Sequence, residues 1–266
     1  MKLTENEVLQ YVAENDVKFV KLTFFDVLGR MKNISVVASE LPRVFESGTL
    51  FDASSIQGFT TVDESDLLLF PDPSTLSVLP WRPQQGRVVR FYCDVRKPDK
   101  RLFECDGRAF LKQAVSAAEK MGYTVQIGSE CEFYLFNCDE NGKPTKNPQD
   151  NAGYGDVFPL DRGETVRREI CLTLEEMGIH PETSHHESGK GQNEIDFKYS
   201  NALDAADNLQ TFKNVVKSIA HGYGLFASFM PLPVSDDFGS GLHINFSLVK
   251  DGKNIFKSPS DRKSVV

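Results

Sequence analysis

A stretch of thirteen residues, 184–196, constrains this chain more than any other part of its sequence. It holds two histidines, three carboxylates and two glycines. From Glu194 through residue 199, polar side chains alternate with apolar ones, which is the period-two pattern of a half-buried strand. The pattern predicts that Glu194 lies on the polar face of a strand and that Glu187 lies in the loop leading into it.

Two further predicted strands carry polar side chains on one face. A strand over residues 124–136 includes Glu130 and Glu132. Side chains two residues apart in a strand point to the same face, so these carboxylates project side by side, about 7 Å apart at a rise of about 3.3 Å per residue. A strand over residues 242–248 sends three polar side chains to one face: His243, Asn245 and Ser247.

Glutamates gathered in one place repel each other unless a cation holds them. Hard divalent ions such as Mg²⁺ and Mn²⁺ take oxygen ligands, and Mn²⁺ also tolerates an imidazole. The three strands together therefore predict a cation site. The alternative is that each glutamate is a solvated strand residue. For His185 and His186 the favoured interpretation is packing and hydrogen bonding near this site, with metal ligation as the alternative.

The remaining patterns predict an α+β chain. A small antiparallel sheet with one or two helices is predicted first, with a turn-prone break at 52–55, and a polar linker at 97–100 places a domain boundary after residue 100. A second region, 101–266, is predicted to have strands bearing acids and helices covering one face. Its helices are predicted at 106–121, 164–177 and 203–222. A long loop predicted over 137–161 suggests a functional segment, because compact domains rarely keep such loops.

Charge and cysteine content exclude several classes of partner. A net charge of −8 argues against nucleic acid, which is bound through clusters of Lys and Arg. No apolar run approaches the roughly eighteen residues of a membrane span, and the N-terminus lacks the apolar run of a signal peptide. The five cysteines are an odd number without the C-x-x-C spacing of zinc or redox sites. A cytoplasmic protein with reduced thiols is predicted.

Three motifs resemble, in order and spacing, the metal-site motifs of glutamine synthetase, type I. They are Glu130-x-Glu132, His185-His186-Glu187 with Gly191-Gln192-x-Glu194, and Gly239-Ser240-Gly241-x-His243. The resemblance extends along nearly the whole chain. It implies a small N-terminal β-grasp domain over residues 1–100, followed over 101–266 by part of the catalytic domain, an antiparallel sheet with covering helices. Nothing in the chain corresponds to the second half of that domain.

The resemblance also implies two divalent cations, Mg²⁺ or Mn²⁺. One ion, on the glutamate side, would be held by Glu132, Glu187 and Glu194. The second, on the nucleotide side, would be held by Glu130 and His243, and its remaining glutamate ligand has no counterpart in this chain.

Other residues fall on substrate positions of the family. Three of them match positions that contact nucleotide: Glu182, Asn245 and Ser247. Gly239 matches the loop that binds glutamate, and Glu132 also faces that substrate. Asp52 matches the aspartate that binds ammonium and accepts its proton, which the family supplies from a neighbouring subunit; the alternative is a loop aspartate that caps its own turn.

The reaction implied is an ATP-dependent ligation of ammonia to glutamate through γ-glutamyl phosphate, in a homo-oligomer. Ala53, Phe238 and Asn245 depart from the family, where Gly, Asn and His are usual. Because Phe238 replaces a polar contact to glutamate, a γ-glutamyl-amine ligase of the same fold is the alternative. A third possibility is a catalytically inactive, truncated chain.

Overall fold

The computed structural model describes residues 3–81 and 85–256 and divides the chain into two compact units, with the division between Ala117 and Ala118. Each unit contains one sheet. The boundary predicted after residue 100 precedes this division and stays a prediction.

The first unit begins with a capped helix and contains mostly short strands. Thr4 and Glu7 form a reciprocal capping box at the start of the first helix, which fixes where that helix begins. The elements up to the division are α1 (Glu5–Glu14), β1 (Val17–Phe25), β2 (Met31–Val37), α2 (Leu41–Ser47), β3 (Thr49–Asp52), β4 (Asp66–Pro71), β5 (Ser77–Val78), β6 (Arg87–Arg96) and α3 (Gly107–Lys120), which crosses it.

The sheet of the first unit is mixed, and the prediction that it is antiparallel was wrong. Its strand order is β2-β1-β6-β4-β3, with β5 also paired to β6. β1 and β6 run parallel, whereas the other pairs are antiparallel. Alternation of side chains within a strand does not encode the direction of its neighbour. Parallel partners need a long connection, and the sequence between β1 and β6 supplies one.

A buried ion-pair group lies within this unit. The Arg108 side chain is buried, and it donates to Asp72 Oδ2 at 2.9 Å and to Asp94 Oδ1 at 3.2 Å. Lys112 Nζ lies 2.6 Å from the same Asp94 oxygen. Burial raises the pKa of Asp72, but hydrogen bonds from Ser74 and the charge of Arg108 outweigh burial, and the net shift is downward. The group thus stays ionised inside the fold.

The second unit is organised around one long strand. After α3 come β7 (Thr124–Cys138), β8 (Pro144–Pro148), α4 (Glu164–Glu176), β9 (Pro181–His186), β10 (Gln192–Asn201), α5 (Ala202–Gly222), β11 (Leu225–Ser228), β12 (Leu242–Lys250) and β13 (Lys253–Asn254). Their order in the sheet is β13-β12-β7-β10-β9, and β8 and β11 also pair with β7. The prediction of an antiparallel sheet with covering helices is confirmed for this unit.

Helix α5 covers one face of this sheet through a cluster of aromatic rings. Phe212 of α5 packs against Phe133 of β7 and Phe197 of β10, with ring centroids 6.0 and 5.5 Å apart. The same face continues on β12, because Leu242 lies opposite the buried Cys131 in the register. There the apolar side chains stay exposed, namely Leu242, Ile244 and Phe246.

Several local predictions need correction. The segment 137–161, predicted to be a loop, contains the strand β8, which pairs with β7. β8 was not predicted because it begins and ends with proline. β3 and β9 were not predicted, because the short β3 adjoins the polar break at 52–55 and β9 is rich in polar residues. The helix predicted over 106–121 is confirmed as α3, but its apolar stripe is exposed, with Phe110 and Met121 70% and 68% accessible.

Candidate metal centre

The register of three strands brings the predicted carboxylates together on one face of the second sheet. β7 lies in the middle, with β10 on one side and β12 on the other. Glu132 lies opposite Glu194 of β10. Glu130 lies opposite Asp196 of β10 on one side and opposite His243 of β12 on the other. Because directly opposed side chains in a sheet share a face, the five side chains form one polar patch.

The first group of possible ligands surrounds Glu194. His185 Nε2 lies 2.9 Å from Glu187 Oε1 and 3.3 Å from Glu194 Oε2. A ligand atom from each of these three residues lies within 4.8 Å of the others. His185 thus lies within hydrogen-bonding distance of two carboxylates, and its role beside the site stays a prediction. Glu132 joins this group through its cross-strand pairing with Glu194.

Electrostatics show how strongly this group favours a positive charge. The pKa of Glu194 is raised to about 8, chiefly by burial and also by the charges of Asp196, Glu132 and Glu187 and a hydrogen bond with Glu187. In the absence of a cation, Glu194 therefore keeps a proton near neutral pH. A divalent ion bound here would take the place of that proton, and the oxygen-rich donor set suits Mg²⁺ or Mn²⁺.

The second group lies around Glu130. His243 Nδ1 is 3.0 Å from Glu130 Oε2, and Asn245 Nδ2 donates to Glu130 Oε1 at 2.7 Å. Ligand atoms of Glu130, His243 and Glu194 come within 4.8 Å of one another. Glycine at position 241 keeps the space beside these groups open, since a Cβ there would lie 2.8 Å from Glu132 Oε1 and 3.0 Å from His243 Nε2. Carboxylates, an imidazole and open space fit a divalent ion.

A cleft of about 440 Å³ adjoins the second group. It is lined by the three residues predicted to contact nucleotide, Glu182, Asn245 and Ser247, together with Glu130 and Asp196. Among the described residues, Asp196 Oδ1 is buried without a hydrogen-bond partner, while Thr183 Oγ1 donates to the other oxygen. The cleft is therefore acidic where Glu130 and Asp196 line it.

The loop that carries Gly239 is tied to the sheet by two residues that sequence reasoning missed. Tyr134 Oη donates to the Phe238 carbonyl at 2.6 Å. Gln192 Nε2 donates both to the Gly239 carbonyl at 2.9 Å and to Glu132 Oε2 at 2.6 Å. Gln192 stands inside the Gly191-Gln192-x-Glu194 motif, so its polar side chain two residues before Glu194 was a usable signal. The Phe238 side chain itself is 58% exposed.

A buried polar network lies behind the turn that carries Glu187. His186 is fully buried, with Nε2 2.9 Å from Asp150 Oδ1 and Nδ1 2.6 Å from the Glu187 carbonyl. Burial lowers the pKa of His186, but these two hydrogen bonds and the charge of Asp150 outweigh it, and the net shift is upward. Asp150 was not predicted, because it lies in the segment interpreted as a loop and no motif marks it.

Asp52 belongs to the first unit, at the end of β3. Its Oδ1 accepts from Ser54 N at 3.0 Å and from Ser54 Oγ at 2.6 Å, and Oδ2 accepts from Ser55 Oγ at 3.2 Å. These bonds lower the pKa of Asp52, the one from the Ser54 hydroxyl most strongly. The aspartate therefore caps its own turn, as the alternative interpretation expects, and its exposed carboxylate stays ionised. Its role toward ammonium stays a prediction.

Comparison with known proteins assigns the chain to a family. Residues 104–266 match the description "Glutamine synthetase, catalytic domain", and residues 16–98 match "Glutamine synthetase, beta-Grasp domain". The chain therefore belongs to the glutamine synthetase family. The fold class predicted from the resemblance is confirmed.

Individual relatives agree with this assignment. The chain is 51% identical to a glutamine synthetase of Clostridium saccharobutylicum over 99% of its own length and 60% of the relative's. It is also 51% identical to a glutamine synthetase of Methanosarcina mazei, over 96% of its own length and 57% of the relative's. The chain thus spans about 60% of the length of these curated relatives.

Solved structures show the same fold. A cryo-EM structure of Plasmodium falciparum glutamine synthetase matches 97% of this chain and 57% of its own with a TM-score of 0.87 at 28% identity. A GmaS/ADP complex covers 94% of this chain and 58% of its own chain, with a TM-score of 0.86 at 30% identity. Within the described residues, the helices are too short or too polar to cross a membrane.

Proposed function

We propose that this chain forms part of an enzyme that ligates ammonia to L-glutamate with ATP, giving L-glutamine, ADP and phosphate through γ-glutamyl phosphate. One observation carries the proposal: the strand register collects carboxylates of β7 and β10 and an imidazole of β12 on one face, beside the cleft. Family membership supplies the reaction class. The proposal includes a β-grasp domain ending near residue 100 and a cytoplasmic homo-oligomer, consistent with five free thiols.

The residues of the site divide into two proposed cation positions. Glu132, Glu187 and Glu194 would hold one divalent ion on the glutamate side, and Glu130 with His243 would hold a second on the nucleotide side. When bound, such ions neutralise charge on phosphate and carboxylate oxygens during phosphoryl transfer. Glycines 239 and 241 leave room for a ligand to approach the backbone and these side chains.

The remaining residues would bind and orient the substrates. The polar groups of Glu182, Asn245 and Ser247 line the cleft and would contact ATP. Gln192 keeps the Gly239 carbonyl and the Glu132 carboxylate at fixed positions through its amide group, which would orient the glutamate loop. Asp52, exposed and ionised in the first unit, would attract ammonium and accept its proton.

Binding of Mn²⁺ and release of phosphate test the proposal together. Glu194→Gln is expected to weaken Mn²⁺ binding strongly, because it removes the carboxylate that both candidate ligand groups share, whereas Glu140→Gln, at an exposed turn outside the patch, serves as the matched control. Phosphate release from ATP is then measured with glutamate and ammonia. A Mn²⁺ affinity that is equal in the two variants would refute the metal site.

A γ-glutamyl-amine ligase is the second candidate, and Phe238 is the observation that favours it. An exposed ring stands beside Gly239 where the family usually has a polar contact to glutamate, and loss of such a contact changes substrate choice strongly. Turnover with methylamine or ethylamine that exceeds turnover with ammonia would establish this candidate. Mn²⁺ binding without turnover on any acceptor would instead favour the catalytically inactive chain.

A further inference from the structure

Glu187 lies on a short turn whose position depends on groups outside the metal centre. Residues 187–191 join β9 to β10. The turn closes through Gln192 N, which donates to the Gly189 carbonyl, and Glu187 N, which donates to the Gln192 carbonyl, both at 2.9 Å. It contains two glycines, which give a backbone wide conformational freedom. Further contacts must therefore fix the direction of Glu187.

Both ends of this turn contact one buried carboxylate. His186, directly before the turn, donates from Nε2 to Asp150 Oδ1 at 2.9 Å, and Gly191, at its end, donates from its N–H to the same oxygen at 3.0 Å. The Nδ1 atom of His186 lies 2.6 Å from the Glu187 carbonyl. The His186 ring therefore links the Asp150 carboxylate to the Glu187 carbonyl, both of which accept hydrogen bonds.

Asp150 is itself held from the opposite side. Its Oδ2 accepts from Arg162 N at 2.9 Å, and the side chain is 2% exposed. Gly191 has a positive φ, and a Cβ there would lie 2.8 Å from the Leu135 carbonyl. The turn is therefore pressed against β7 while Asp150 holds its two ends.

We propose that Asp150 and His186 are positioning residues that hold Glu187 in place for the cation it would share with Glu132 and Glu194. This inference rests on the proposed metal site. Neither residue would touch the cation, because their side chains are occupied by each other and by the turn. Groups that hydrogen-bond to metal ligands change metal affinity about 10- to 100-fold when they are replaced.

The test measures Mn²⁺ affinity and thermal unfolding on the same samples of the chain. Asp150→Asn replaces an acceptor with an NH₂ group that faces donors, and it is expected to weaken Mn²⁺ binding about 10- to 100-fold. Asp106→Asn is the matched control. Asp106 is also a buried aspartate, but it belongs to the first unit, where its side chain accepts from Val95 N and Arg108 N, so this variant is expected to melt at a lower temperature with unchanged Mn²⁺ affinity.

The outcomes separate this inference from the metal site itself. Unchanged Mn²⁺ affinity in Asp150→Asn, or equal losses in both variants, would overturn the positioning role. If Asp150→Asn does not fold, His186→Gln replaces it, since the glutamine amide can reach Asp150 but loses the contact of Nδ1 with the Glu187 carbonyl; the same weakening is expected. If Glu187→Gln does not alter Mn²⁺ binding, the proposed metal site fails, and the positioning role fails with it.

Discussion

Replacement of Gly241 by alanine would test the metal centre with one added methyl group. Gly241 lies directly before β12. A Cβ at this position would lie 2.8 Å from Glu132 Oε1, against an ordinary contact distance that begins near 3.4 Å. The carboxylate must then retreat by about 0.6 Å, which exceeds the roughly 0.5 Å within which a binding group can be displaced without loss.

The size of the effect follows from this displacement. A misplacement of about 1 Å costs about 100-fold in a well-ordered site, so a shift of about half that size predicts roughly tenfold weaker Mn²⁺ binding, or about 1.4 kcal/mol. Fold stability is expected to change by less than about 1 kcal/mol, since the backbone at Gly241 lies outside the positive-φ region and alanine there restricts the unfolded chain.

Gly128→Ala is the matched control, because a Cβ there meets its nearest atom, Tyr199 Cβ, at an ordinary 3.6 Å. Both variants are titrated with Mn²⁺, with free Mn²⁺ followed by electron paramagnetic resonance, and both are melted. Equal Mn²⁺ affinities in the two variants would refute the assignment of Glu132 to the centre. A large loss of stability in Gly241→Ala alone would refute the steric account.

Three further predictions concern the scaffold. Arg108→Leu removes the buried guanidinium that pairs with the partly buried Asp72 and Asp94. Lys112 remains beside Asp94, but Asp72 loses its nearest cation, so the free energy of unfolding is expected to fall by about 3 kcal/mol. Lys112→Ala is expected to cost about 1 kcal/mol or less, and urea denaturation compares the two variants. The folded-state pKa of Asp72 is lowered, so ionised Asp72 stabilises the fold at a pH above its unfolded-state pKa, and this stabilisation is lost as the pH falls through the folded-state pKa. In Asp72→Asn, the free energy of unfolding should therefore decrease less steeply in acid than in the unchanged protein. An equal dependence on pH in the two proteins would contradict this. Tyr134→Phe removes the hydrogen bond to the Phe238 carbonyl and should cost about 1 kcal/mol, with faster proteolysis near residue 238 as a second measure; unchanged cleavage would show that the loop is held otherwise.

The positions of the candidate ligands could be predicted because they depend on local alternation. Glu130 and Glu132 share a face in any regular strand, and the same holds for His243 and Asn245. The order in which β10 and β12 flank β7 could not be derived from alternation, because pairing between distant strands depends on tertiary packing. The resemblance to a family grouped these ligands, and the structure supplied the strand order.

Buried polar partners were the least predictable part of the site. Asp150 and Tyr134 lie far in sequence from the groups they hold, and a single aspartate or tyrosine carries no periodic signal. The parallel pairing of β1 with β6 was not predicted, because side-chain alternation within a strand does not depend on the direction of its partner strand. β8 was missed because prolines ordinarily argue against a strand, yet they are tolerated at its ends.

The central strand β7 supplies one proposed ligand to each of the two cation positions. Glu130 and Glu132 belong to different ligand groups but are separated by a single pleat repeat, about 7 Å along the strand. No loop motion can alter that spacing, and a one-residue slip of β10 would turn Glu194 to the opposite face. The backbone of β7 therefore fixes the separation of these two carboxylate-bearing residues, whatever the surrounding loops do.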